Sequence, residues 1–223
     1  MRNEYNRQLG RLNAELAEMG NLCVSAITDA VRYLTEGRGE DKTACLGAER
    51  QIDEKERDIE ALCIKLILKQ QPVAGDLRNV SAALKMISDM ERIGDQASDI
   101  VEIAPYVAGS GLEREPLLKK MAEAAIKMVS ESVDSFVRND KEIAGRVIEE
   151  DDLVDELFDK IKKELIISIA AGNDNAEALL DLLMIAKYFE RIGDHAENIA
   201  EWVIYSITGE HVEEEEGETG GRR

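Results

Sequence analysis

Aromatic residues make up only 4% of the 223-residue chain. A β-sandwich would want more Tyr, Phe, Val and Thr, whereas a chain rich in Ala, Leu, Ile, Glu and Lys favours long packed helices. Proline occurs three times, so little punctuates the chain. Cysteine also occurs three times, at Cys23, Cys45 and Cys63. An odd number at spacings of 22 and 18 fits neither a zinc site nor a redox pair. These thiols read as reduced, small apolar fillers in a cytosolic protein. No apolar run nears the ~18–20 residues that span a bilayer. The opening MRNEYNRQLG has no apolar signal core. The expectation is a soluble, cytoplasmic protein with no direct membrane insertion. Positive charge is in deficit: 28 Lys and Arg stand against 47 Asp and Glu, a net charge of −19. Such a surface repels phosphate backbones, which argues against nucleic-acid binding, and suits docking on basic surfaces or gathering cations. Most of these charges read as solvated helix faces.

What the chain does have is apolar spacing of helical period almost throughout. The breaks divide it. Gly37-Arg38-Gly39 ends a helix begun near Arg2, and a second runs from about Asp41 to Gln70, before Pro72. Asp76 suits the N-cap of a third, which reaches about Val107, with Pro105 placed to kink or end it. Pro116 suits the first turn of a fourth helix, ending near Arg138, and Asp140 caps a fifth ending near Ala171. A sixth runs from about Ala176 to Thr208. Residues 209–223, with Glu213-Glu214-Glu215-Glu216, read as an acidic disordered tail.

The pattern repeats. Glu91-Arg92-Ile93-Gly94-Asp95 recurs unchanged as Glu190-Arg191-Ile192-Gly193-Asp194, an offset of 99 residues. Nine of twenty positions agree over 84–103 at that offset, where chance gives about one. Short connections make successive helices antiparallel neighbours. The fold class is therefore all-α: two tandem antiparallel three-helix bundles, over 1–110 and 111–208.

Four acidic pairs stand at i,i+4: Glu49 with Asp53, Glu91 with Asp95, Asp151 with Asp155, and Glu190 with Asp194. Residues so spaced share a helix face, ~5–6 Å apart. Facing helices ~8–10 Å apart could bring four carboxylates to one point in each bundle. A hard cation such as Mg²⁺, Mn²⁺, Ca²⁺ or iron would offset their repulsion, with Zn²⁺ less suited for want of His or Cys. The same spacing is common on solvated helices. Repetition of the pairs favours ligation, while Glu60 seven residues after Asp53 and Lys162 seven after Asp155 give those faces a polar look. Asp99 and its counterpart Asn198 are outer contributors at best. Gly94 and Gly193 serve either a close approach or plain packing. Arg92 and Arg191 suit pairing with nearby acids or ordinary surface bridges. His195 reads as structural, and Phe189 and Trp202 as core. No nucleophile–base pair, phosphate-cradling loop or Glu-x-x-His motif occurs, so no catalytic residues are assigned.

These residues resemble the PhoU family of phosphate-uptake regulators over nearly the whole chain. The resemblance rests on Asp76-Leu77-Arg78, the two ERIGD segments, Asp194-His195-Ala196-Glu197-Asn198-Ile199-Ala200-Glu201, and Thr208-Gly209. Gln96 departs from it, since the family often places an aromatic residue or His after the Asp. The resemblance implies metal clusters on the eight carboxylates named above, carrying iron, Mg, Mn or Zn. It also implies partners: the ATPase subunit of a phosphate ABC transporter, a phosphate-sensing histidine kinase, and a second copy in a homodimer. The role implied is negative regulation, not catalysis. A metal-dependent enzyme, a metal store and a metal-free helical adaptor are the alternatives.

Overall fold

A computed structural model describes residues 2–70, 74–172 and 175–212. Six long helices account for most of them: α1 (Arg2–Glu36), α2 (Gly39–Gln70), α3 (Ala74–Val107), α4 (Pro116–Arg138), α5 (Lys141–Ala170) and α6 (Ala176–Thr208). A single 3-10 turn, Leu112–Arg114, precedes α4. The described residues contain no strand. Helices α1–α3 form one antiparallel bundle and α4–α6 the other. The bundles join chiefly through α3 on α6, with α1 on α4 beside it, so α2 and α5 flank the molecule. The turn around Pro72 and the acidic run from Glu213 lie outside the described residues.

The ends follow local chemistry. Asp140 Oδ1 accepts from Glu142 N at 2.9 Å and Ile143 N at 3.2 Å, satisfying two donors at the head of α5. Pro116 fills the first position of α4. Asn139 (φ 54°) and Gly209 (φ 83°) end α4 and α6 in the left-handed region. Two expectations need correcting. Helix α3 begins at Ala74, so Asp76 sits inside its first turn, where an acid still complements the helix dipole, rather than capping it. Pro105 does not end α3, which runs through it to the expected Val107: the ring removes its own ladder donor, and with two residues beyond it there is little helix left to disrupt.

The core is aliphatic and continuous through both bundles, with Leu12, Leu16, Met19, Ile27, Ile52, Met86, Ile93 and Phe189 fully buried. Cys23, Cys45 and Cys63 are buried and unpaired in disulfides. Burial pushes each thiol up to about 12, which leaves them protonated and unreactive. Numbering rises along α3 as it falls along α6. Gly209 lies against Arg78, Lys85 Nζ sits 5.8 Å from the Trp202 ring centre, and Asp89 meets His195.

Gly20 sets the approach of α1 to α4. A Cβ there would lie 2.9 Å from both methyls of Val133. Gly20→Ala is expected to destabilise by about 1–3 kcal/mol through overpacking. Gly47 in α2 has nothing within 4 Å of such an atom. Gly47→Ala is expected to stabilise by about 0.5–1 kcal/mol through helix propensity alone. Urea unfolding of both variants checks the contrast.

Candidate metal centre

Helix α5 carries Asp151 and Asp155, and α6 carries Glu190 and Asp194. Each pair is one turn apart, so each presents both acids to the facing helix. One carboxylate oxygen from each of Asp151, Asp155 and Asp194 lies within 4.8 Å of the others. Two oxygens on one hard cation stand at most about 4–5 Å apart, twice a ~2.0–2.6 Å bond. Three such oxygens therefore fit around one ion. Among the described residues this is the one convergence of three or more Asp, Glu, His or Cys groups. Glu190 adjoins it: Oε1 accepts from Lys187, while Oε2 is buried with no hydrogen-bond partner. Asp151 Oδ1 is buried and unpartnered as well. A buried acceptor in that state costs about 1–3 kcal/mol. The donor set of Asp151, Asp155 and Asp194 thus fits a hard divalent cation, whose charge would also offset the crowding around the two orphaned oxygens.

Crowding shows in the ionisation. Burial, reinforced by Glu197, Asp155, Asp194 and Glu190, raises Asp151 to about 7. Burial and then Glu201 and Asp194 raise Glu197 to about 7. Burial and Glu190 raise Asp155 and Asp194, with Lys187 acting the other way on both. Glu197 was not among the expected site residues. It stands one turn past Asp194, at i+3, which is a usable signal. Its counterpart across the repeat is Ser98, so a search for acids matched in both halves passes over it.

Gly193 explains how α5 comes so near. A Cβ on Gly193 would stand 3.0 Å from Asp151 Oδ1 and 3.3 Å from Val154 Cγ1. On Gly94 it would instead meet Ile52 Cδ1 at 3.0 Å, an apolar packing contact. One repeated glycine thus serves a carboxylate in one bundle and the core in the other.

The first bundle arranges its acids differently. Burial, then Asp53 and Asp95, raise Glu49; burial, then Asp95, raise Glu91. Glu49, Asp53, Glu91 and Asp95 therefore feel one another, yet no three converge as the second set does. Arg92 stands beside them: Nη1 lies 3.1 Å from Asp95 Oδ2, and Nε 3.4 Å from Glu91 Oε2. Arg57 lies 3.7 Å from Asp53. Asp99 is raised by burial and then by Asp95. His195 is structural: its Nδ1 lies 3.0 Å from Asp89 Oδ1, and Asn198 Nδ2 donates to the same oxygen at 3.4 Å, tying α6 to α3. Phe189 is fully buried, and Trp202 packs half-buried against the core.

Outside the second carboxylate set lies an open groove of about 620 Å³, lined by Asp152, Asp155, Glu156, Phe158, Asp159 and Glu190. It gives water and ions a path to Asp155.

A family model described as the PhoU domain matches the chain twice, over residues 16–104 and 118–203. The chain belongs to the PhoU family. Each PhoU match holds one ERIGD segment and both carboxylate pairs of its bundle. The chain is 32% identical to "Phosphate-specific transport system accessory protein PhoU homolog 1" of Thermotoga maritima, covering 94% of this chain and 91% of that protein. It is 30% identical to "Phosphate-specific transport system accessory protein PhoU" of Serratia marcescens, covering 94% and 86%. The crystal structure of PhoU from Pseudomonas aeruginosa superposes with a TM-score of 0.84 at 30% identity, over 92% of this chain and all of that one. A Streptococcus pneumoniae PhoU structure gives 0.86 at 23% identity over 94% of this chain and 99% of that one, a likeness of fold. No helix among the described residues is long and apolar enough to cross a membrane.

Proposed function

We propose that this chain is a metal-binding, cytoplasmic regulator of phosphate uptake. It restrains a phosphate ABC transporter and the associated sensor kinase by docking on them. The observation that carries the role is PhoU relatedness along nearly the whole chain, to proteins named as accessories of phosphate-specific transport. The acids of the second bundle support the metal part of the reading, through two buried oxygens that lack partners.

A cation held there would offset the repulsion between the acids of α5 and those of α6. The chain's own residues do the rest. Asp151, Asp155 and Asp194 would bind it directly, with Glu190 and Glu197 beside them. Gly193 admits Asp151, and Lys187 holds Glu190 in place. Regulation then follows from docking: a partner is held in one state only if the chain contacts its two states differently. A chain of net charge −19 suits basic partner surfaces.

A metal-dependent phosphoryl hydrolase is disfavoured by the groove itself. Five of its six lining residues are acidic, and no Arg or Lys among them would receive a phosphate anion. The test is co-purification of the full chain, metal-loaded, with the transporter ATPase and with the kinase at near-physiological salt. Expected is recovery of at least one of them, weakening as salt rises. Recovery of neither would overturn the regulatory reading.

A further inference from the structure

The seam between the bundles holds another opening, with no residue from α5 in its walls. It is a cleft of about 580 Å³ built from both copies of the repeat. Helix α3 contributes Arg92, Asp95, Gln96, Ser98 and Asp99, and α6 contributes Arg191 and His195. Neither bundle forms the cleft alone. His195, tied to Asp89 through Nδ1, holds the α6 wall against α3.

Two of these side chains lack partners. Gln96 is only 7% exposed, and its Oε1 has no hydrogen-bond partner. A buried acceptor left so is a standing cost that a donor would remove. The amide turns about a soft terminal torsion, which lets it follow a group placed in the cleft. Arg191 is exposed and makes no ion pair or hydrogen bond among the described residues. Its counterpart in the repeat, Arg92, is engaged, with Nη1 donating to Asp95 Oδ2 at 3.1 Å. Asp99 is half-buried; Arg191 eases its ionisation without bonding to it.

A ligand must suit this mixture of donors and acceptors. A bare cation would face Arg92 and Arg191. A fully ionised oxyanion such as sulfate suits the guanidinium groups, but has only acceptors to set against Gln96 Oε1, Asp95 and Asp99. An oxyanion that keeps a proton brings both, oxygens for a guanidinium and an O–H for an acceptor. We propose that the cleft binds a small protonated oxyanion, inorganic phosphate being the fitting case, with Arg191 on its oxygens and Gln96 Oε1 accepting from its O–H. Asp99 offers a second acceptor. A site that hydrogen-bonds an O–H rejects the analogue lacking it, which sets phosphate apart from sulfate. Bound there, the ion bridges α3 and α6, so its presence is felt at the junction of the bundles. The site needs no metal. It deepens the proposed regulation of phosphate uptake and rests on that reading for its biological meaning, while binding itself is tested on the chain alone.

Isothermal titration calorimetry on the full chain, stripped of metal by chelator, tests it with inorganic phosphate, sulfate and glycine at neutral pH and matched ionic strength. Expected is a single class of phosphate site, at least about tenfold tighter than sulfate or glycine. Arg191→Gln should weaken phosphate by about tenfold or more; Arg191→Lys, which keeps the charge but not the planar fork, should weaken it less. Arg191 is exposed, so these variants keep the fold. Gln96→Met keeps the shape and removes the acceptor, and should bring phosphate and sulfate to within about threefold of each other. A Gln96 that only fills space would leave that ratio alone. Phosphate no tighter than sulfate or glycine, or no binding at about 10 mM, would overturn the site. So would an affinity that Arg191→Gln leaves unchanged, or a preference that Gln96→Met leaves unchanged. The regulatory reading would still stand on its own co-purification test.

Discussion

Replacing Asp151 by Asn is expected to lower cation affinity in the second bundle by at least about 100-fold. That exceeds the ~10–100-fold that outer-sphere partners typically cost. It is also expected to stabilise the metal-free protein at pH 8. Asp151 is raised to about 7 by burial and then by Glu197, Asp155, Asp194 and Glu190, so its ionised form is a standing cost to the fold. Asn keeps the shape and removes the charge. Allowing for partial exposure to solvent, the gain is roughly 1–2 kcal/mol. The opposite sign appears with metal present. A parent held at 100 times its dissociation constant gains about 2.7 kcal/mol from the ion, and the variant loses nearly all of that. Urea unfolding with and without Mn²⁺ reads both signs from one pair of proteins. Destabilisation in both conditions would mean that Asp151 is only a packing residue.

The second large effect is on pH dependence. Asp151 and Glu197 hold their protons to about 7 in the folded chain, against about 4 when unfolded. Between those values the folded state binds more protons than the unfolded one. Their contribution is thus present in full below about pH 4 and lost as pH rises through about 7. Asp155, Asp194, Glu49, Glu91 and Asp99 are raised as well and act in the same sense. Glu15, held down by its hydrogen bond from Lys55, acts in the other. The metal-free protein should therefore be less stable at pH 8 than at pH 5, by roughly 2 kcal/mol once solvent screening is allowed for. Saturating Mn²⁺ should close or reverse the difference, because the ion binds only the deprotonated acids. Thermal melts across this range, with and without Mn²⁺, test it.

The fold was legible in the sequence because its breaks are chemical. Pro116, Asp140 and the glycine pair at 37 and 39 mark helix ends that local bonding alone explains. Asp76 misled because an acid suits a first turn as well as a cap, and only the path of the chain decides between them. The location of the second carboxylate set could also be read, since spacing puts Asp151 with Asp155 and Glu190 with Asp194 on shared faces. What spacing could not convey is that the two sets differ. The ERIGD segments are identical, and the contrast comes from what surrounds them: Lys187 against Ser88, Glu197 against Ser98, and Val154 against Ile52. Those differences carry meaning only once α5 and α6 are brought together. Gly94 and Gly193 show this most clearly, being alike in sequence yet facing a methyl group in one case and a carboxylate in the other.

Anomalous diffraction from a crystal of the full chain equilibrated with low Mn²⁺ puts the metal assignment to its most direct test. Expected is a peak in the second bundle within bonding distance, about 2.0–2.6 Å, of oxygens from Asp151, Asp155 and Asp194. A map with no peak among those three acids at any concentration, or with its strongest peak on surface carboxylates elsewhere, would contradict it.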